Sequence, residues 1–293
     1  MTLVETFKVG GLVCHVIDAG TQRLDGGAMF GVVPKPLWEK KIPADDQNRI
    51  SLGLNCLLVE HPDGLVLIDT GVGNKYDEKF GEIYMIENTG KVGPTRLEDA
   101  LAELGFTSGD VAVVINTHLH FDHAGGNTLV TVRGDNESLP SFPNATYVVQ
   151  EGELEFAEKT NERTAASYLR SNFDPVSQAG MWNTVSGESE IRPGITLVPT
   201  PGHVPYHQSV VISDGGETAC FLGDLVPTTA HLRLPWIMGY DLEPLRTLES
   251  KRDLLGRAEA EGWILVFEHD PERSVGRVVL DGKAYVVASL DIN

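Results

Sequence analysis

The chain has 293 residues, 41% of them hydrophobic, enough to bury one substantial core, and carries 23 Lys and Arg against 42 Asp and Glu, a formal net charge of -19. That balance argues against a nucleic-acid partner, which calls for clustered cations that displace phosphate counterions, and mainly favours solubility. The amino-terminal residues lack a basic stretch followed by a continuous apolar one, and no later run approaches the apolar length of a membrane span. A cytoplasmic protein with no membrane partner is therefore expected. Cys14, Cys56 and Cys220 sit in apolar, strand-like runs without CxxC spacing, so buried free thiols are expected rather than a disulfide framework.

In chain order, Phe7 to Ile17 reads as strand-rich, and Asp18 to Asn48 as a long irregular extension. Within that extension Met29, Phe30, Leu37 and Trp38 follow no helical or strand period. Loops this long usually cover or bind something, so a lid over a site and a dimer arm are both open readings. Leu52 to Glu60 and Leu65 to Asp69 read as a hairpin closed by His61-Pro62-Asp63-Gly64. Thr95 and Glu98 have capping-box spacing ahead of Leu97, Leu101 and Leu104, which predicts a helix leading into strand Val111 to Ile115. Ala145 to Val149 reads as a strand, Glu151 to Arg170 as largely helical, Asn172 to Gly194 as ambiguous, and Ile195 to Thr200 as a strand. No repeat or interdomain linker stands out, so residues 1–293 are expected to form one domain, with a core over about 52–270 and the extension over about 18–48.

After strand Val111 to Ile115 comes Thr117-His118-Leu119-His120-Phe121-Asp122-His123-Ala124-Gly125-Gly126, three imidazoles and a carboxylate within six residues. In an extended backbone His118 and His120 face one way while Leu119 and Phe121 face the other, so one side binds and one side packs. Imidazole and carboxylate are the usual protein ligands for zinc and related ions. Three further candidates each end a strand-like run: His203 after Ile195 to Val198, Asp224 after Ala219 to Leu222, and His269 after Ile264 to Phe267. The total of five histidines and two carboxylates is enough for two adjacent cations sharing one carboxylate. Zinc is the first expectation, with iron, manganese and cobalt also suited to this donor set.

The HxHxDH motif, with Asp69-Thr70-Gly71 before it and Thr200-Pro201-Gly202-His203 after it, resembles the metallo-β-lactamase-fold hydrolases over Leu52 to His269. The resemblance implies an α/β protein with a four-layer αββα sandwich, and a site at one edge of two sheets. It implies that His118, His120 and His203 bind one metal ion, that Asp122, His123 and His269 bind the other, that Asp224 bridges, and that Asp69 supports the loop from behind. Gly26 to Trp38, the His118 to Asn127 loop and Gly223-Asp224-Leu225-Val226-Pro227-Thr228 are similar to the quorum-quenching N-acyl-homoserine lactonases, the YtnP-type branch in particular. Several such lactonases carry a substrate-assisting tyrosine three residues after the bridging aspartate; here that position is Pro227, and Tyr240 is the candidate replacement.

The expected reaction is opening of a lactone or ester by hydroxide shared between two metal ions, with Asp122 passing the proton to the leaving oxygen. His231 and Tyr240 are candidate substrate contacts, although each residue type serves equally well in packing. Met29, Phe30 and Trp236 belong to apolar stretches that offer a surface for an acyl chain, or alternatively for a homodimer. A phosphotriesterase or phosphodiesterase would use the same ions with a different pocket, and a non-catalytic metal-binding protein is the remaining alternative.

Overall fold

The computed structural model describes residues 3–130, 138–282 and 284–288. The chain divides into two compact units: Met1–Lys8, Leu12–Gly20 and Leu54–Gly187 form the first, and Val9–Gly11, Thr21–Gly53 and Glu188–Asn293 the second. Sixteen strands among the described residues build two seven-stranded sheets and one small hairpin.

The amino-terminal half supplies Val4–Val9 (β1), Leu12–Asp25 (β2), Arg49–Glu60 (β3), Leu65–Ile68 (β4), Val111–Ile115 (β5), Thr128–Val130 (β6), Ser138–Pro140 (β7), Thr146–Gln150 (β8) and Trp182–Val185 (β9). The first sheet runs in the order β1-β2-β3-β4-β5-β8-β9, and β6 pairs only with β7. The expected hairpin is present, with β3 antiparallel to β4 and Leu57 opposite Ile68. Strands β4, β5, β8 and β9 are mutually parallel. Their carboxyl ends therefore lie together, the place where parallel sheets carry ligand sites. Asp69 follows β4, the histidine loop follows β5, and Glu151–Glu158 (helix α6, numbered below) follows β8.

The second sheet runs in chain order through Ser189–Arg192 (β10), Ile195–Pro199 (β11), Gln208–Asp214 (β12), Glu217–Phe221 (β13), Ile264–Val266 (β14), Val275–Asp281 (β15) and Ala284–Ala288 (β16). All neighbours are antiparallel except β13 and β14, where Phe221 stands opposite Val266. The alternation brings the carboxyl ends of β11, β13 and β14 to one end of the sheet. His203, Asp224 and His269 follow those three ends, which is why residues so distant in sequence converge.

The helices in chain order are Gly26–Phe30 (α1), Lys35–Trp38 (α2), Glu78–Tyr84 (α3), Arg96–Glu103 (α4), Phe121–Ala124 (α5), Glu151–Glu158 (α6), Asp174–Gln178 (α7) and Pro244–Glu261 (α8). The capping box at Thr95 and Glu98 starts α4 as expected. Two expectations differ. Asp18 to Asn48 is not irregular throughout: β2 continues to Asp25, whose side chain accepts from Ala28 N at 2.8 Å and caps α1, and α2 follows. Both Met29 and Phe30 are buried there, so no amphipathic period betrays the helix. The second difference is α6, which stops at Glu158 rather than continuing to Arg170. Asn161 Oδ1 accepts from Arg163 N at 2.9 Å and Thr164 N at 3.2 Å, a turn that competes with helix.

Each unit has its own apolar core. In the first, Leu54, Cys56, Leu58, Leu67, Val114 and Tyr147 pack with Leu97 and Leu101 of α4. In the second, Cys220, Leu222, Leu254, Leu255, Leu265 and Phe267 form one cluster, and Met29, Phe30, Trp38, Leu52, Trp236 and Met238 another. Cys14, Cys56 and Cys220 are buried and joined in no disulfide, and burial pushes Cys14 and Cys220 up to about 12. No described helix is long and apolar enough to cross a membrane.

Candidate metal centre

Beyond Ile115 the chain keeps one last sheet bond, Asn116 N to Val148 O at 2.9 Å, and then leaves β5. His118 and His120 bring their ring centroids to 4.4 Å, while α5 makes a single turn that returns His123 to 4.0 Å from His118. Leu119 and Phe121 go the other way into the core, at 0% and 6% exposure, as the alternation requires. Asp69 holds this loop from β4. Its carboxylate accepts from Thr117 N at 2.8 Å and Thr117 Oγ1 at 2.6 Å, and lies 3.1 Å from His123 Nδ1. That contact aims His123 Nε2 at Asp122 Oδ1, 3.8 Å away.

The glycines let two loops touch. A Cβ on Gly125 would stand 2.1 Å from Val72 O, and one on Gly126 2.2 Å from Thr70 O. The partly buried Lys75 ammonium donates to Gly125 O and, at 2.6 Å, to Thr128 O, and desolvation pulls it down to about 7.

The second unit arranges its own three ligand candidates around Asp224. His203 Nε2 lies 3.0 Å from one Asp224 oxygen and His269 Nε2 lies 3.2 Å from the other. A carboxylate with each oxygen facing a different imidazole has the disposition a bridging ligand needs. The opposite ring nitrogens are held by the protein: His203 Nδ1 lies 2.9 Å from Asp241 Oδ1, and His269 Nδ1 donates to Gly53 O at 2.8 Å. Metal-binding imidazoles are oriented in this way. Pro227 supplies its carbonyl to His269 N at 2.9 Å. His207 accepts from Asp224 N at 3.1 Å through Nε2 and meets Thr200 Oγ1 at 2.8 Å through Nδ1. Sequence reasoning missed Asp241 and His207. The His203–His207 spacing was visible, but nothing in the sequence pairs Asp241 with His203.

Within the first unit His118, His120, Asp122 and His123 cluster on one loop, and within the second His203 and His269 flank Asp224, so each unit presents its own group of candidate ligands. All are buried except His120, which is partly exposed. The two groups fit divalent ions by donor chemistry: imidazole nitrogens and carboxylate oxygens, desolvated, with Nδ1 of His123, His203 and His269 oriented by protein groups.

Residues 52–269, most of the chain, match the Metallo-beta-lactamase superfamily. The chain belongs to that superfamily. An N-acyl homoserine lactonase of Bacillus cereus is 31% identical over 247 residues, covering 78% of this chain and 86% of the relative. A probable metal-dependent hydrolase from Staphylococcus aureus superposes with a TM-score of 0.85 at 30% identity, covering 97% of this chain and 99% of the other. AiiA of B. thuringiensis, solved with N-decanoyl-L-homoserine at its active site, gives a TM-score of 0.67 at 25% identity over 91% of this chain and 95% of the other. The two-sheet α/β architecture is thus the metallo-β-lactamase fold.

Four of the residues expected at a substrate surface gather in one cluster. Met29, Phe30, His231 and Trp236 are 2%, 0%, 1% and 7% exposed. They pack on one another, and the apolar side chains expected to offer a surface at Met29, Phe30 and Trp236 are buried in that cluster. Phe30 stacks on His231 at 4.4 Å and on Trp38 at 5.2 Å, with Trp236 edge-on at 5.7 Å. Thr228 Oγ1 lies 2.8 Å from His231 Nδ1, while His231 Nε2 donates to Met29 O at 2.9 Å. Burial pulls the ring down to about 3, so it is neutral at physiological pH. Lys251 then fastens the loop, donating to the carbonyls of His231, Arg233 and Trp236 at 2.6, 3.0 and 2.8 Å. Tyr240 is half-buried against the same cluster.

Proposed function

We propose that this chain is a metal-dependent hydrolase that opens lactone or ester bonds, with N-acyl-homoserine lactones as its substrate class. The observation that carries the reading is Asp224, with one oxygen facing His203 and the other facing His269. The lactonase relative and the homoserine product held by AiiA support the substrate class. His118, His120 and His203 would hold one divalent ion, Asp122, His123 and His269 a second, and Asp224 both. Zinc is the first choice for nitrogen-rich donors, ahead of iron, manganese and cobalt. Ions bound there supply Lewis acidity and a water whose pKa falls to about 7.

The remaining work belongs to the chain's own groups. Asp69 and Asp241 hold the imidazoles of His123 and His203 by their Nδ1 atoms, so their Nε2 atoms keep a fixed direction. Asp122 is a carboxylate at the site placed to take a proton at Oδ from attacking water and return it to the departing alkoxide. Tyr240, not the Pro227 position, is the tyrosine proposed to meet substrate. His231, Phe30, Met29 and Trp236 would act on the substrate through the shape they give the loop beneath it. The buried cysteines, joined in no disulfide, agree with a cytoplasmic setting.

The reading is tested by loading the purified chain with zinc, counting ions, and following acid release from N-acyl-homoserine lactones at constant pH. About two ions per chain and lactone-dependent acid release that stops on chelation are expected. At most one ion after full loading, or no acid release, contradicts it.

A further inference from the structure

Glu153 sits in the first turn of α6, directly after β8, and β8 runs parallel beside β5 with Val148 opposite Ile115. That pairing sends the residues after both strands past each other, so Glu153 meets the histidine loop. Its carboxylate is 0% exposed. Oε1 accepts from Leu119 N, the peptide between His118 and His120, at 3.0 Å. The same oxygen accepts from Tyr168 Oη at 2.8 Å, and the Tyr168 ring packs edge-on against His120 at 4.7 Å. One residue before Tyr168, the Ser167 carbonyl accepts from Phe121 N at 2.9 Å. Both peptide N–H groups flanking His120 are thus taken by one patch formed by the start of α6 and residues 167–168.

We propose that Glu153 is a positioning residue for the ion that His118 and His120 would hold, fixing the peptide between the two imidazoles and, through Tyr168, one face of His120. The inference rests on the metal-binding reading of those histidines. It predicts an asymmetry, because His123 is supported independently by Asp69. Burial and the neighbouring Glu153 charge raise the Tyr168 phenol well above its ordinary value, so it remains a donor to the carboxylate at any working pH. A buried carboxylate that merely stabilised the fold would have no reason to distinguish between the two ions.

The test uses the full chain stripped of metal and titrated with zinc against a chromophoric chelator, giving a separate affinity for each ion, together with the Tm of the metal-free protein. Glu153→Ala should weaken one ion by about 10- to 100-fold, the range typical of residues that orient metal ligands, and leave the other within about threefold. Glu153→Gln should keep both ions within about threefold of wild type, because its Oε1 accepts the same two hydrogen bonds. Tyr168→Phe, which keeps the ring, should weaken the same ion by a few-fold and keeps the test alive if the alanine variant does not fold. Unchanged affinities in the variants that fold, equal loss of both ions, or a glutamine variant as weak as alanine would overturn the proposal. A wild-type chain that binds no more than one ion would overturn the metal reading itself, and this inference with it.

Discussion

Two loops of this chain, Thr117 to Asn127 and Thr228 to Asp241, both present a buried histidine beside apolar side chains, yet they are built for opposite purposes. In the first, the rings of His120 and His123 crowd to within 4.4 Å of His118, an arrangement that packing alone does not favour and that a shared cation would reward. In the second, His231 has Thr228 at one nitrogen, Met29 O at the other and Phe30 stacked on its face. The ring is a hydrogen-bonded piece of core. What separates a ligand from a core histidine is where the ring nitrogens are directed, and that depends on partners remote in sequence.

The comparison breaks first at Asp224. Asp224→Ala removes the carboxylate between His203 and His269, so ion retention should collapse and turnover should fall by about a thousandfold or more, the several kcal/mol that such ions contribute. Metal content and kcat measured on one preparation check this; wild-type values for either would put the ligand assignment in error. Changes in the second loop, or in the Phe30 ring stacked on it, should read out as stability instead. Phe30→Ala or Trp236→Ala opens a cavity among stacked rings and should cost about 3–5 kcal/mol, visible in chemical denaturation, while the folded fraction keeps its ions. Ion loss without destabilisation would show that this cluster belongs to the site after all.

The smallest effect is a slope. His231 has an ordinary value of 6.5 and is drawn to about 3 in the folded chain. As pH falls below 6.5 the unfolded chain takes up a proton that the folded chain refuses, so stability drops through that window and levels off near 3. In metal-free protein, His231→Asn should flatten the fall of Tm between pH 6.5 and 4 relative to wild type. Parallel curves would mean that the ring is protonated in place.

The loops that carry the candidate ligands were legible because each follows a strand, and strands announce themselves by their apolar runs. The hairpin of β3 and β4, the capped α4 and the strand feeding His118 were legible for the same reason. The supports were not. Asp241, His207 and Glu153 look like ordinary loop or helix-start residues until strand order and register bring Asp241 to the His203 ring, His207 to the Asp224 N–H and Glu153 to the Leu119 N–H. Met29, Phe30 and Trp236 illustrate the converse: large apolar groups without a period suggest a surface, and a capped five-residue helix carries two of them into a buried cluster.

The central claim, a metal-dependent lactonase, is tested most directly by comparing kcat/KM for N-acyl-homoserine lactones, a phosphotriester and a phosphodiester on one zinc-loaded preparation, before and after chelation. The account predicts that lactones are the fastest substrates by about tenfold or more, a difference of about 1.4 kcal/mol in transition-state binding, and that chelation abolishes the activity. Faster hydrolysis of either phosphoester, or lactone opening that survives removal of the metal, would contradict it.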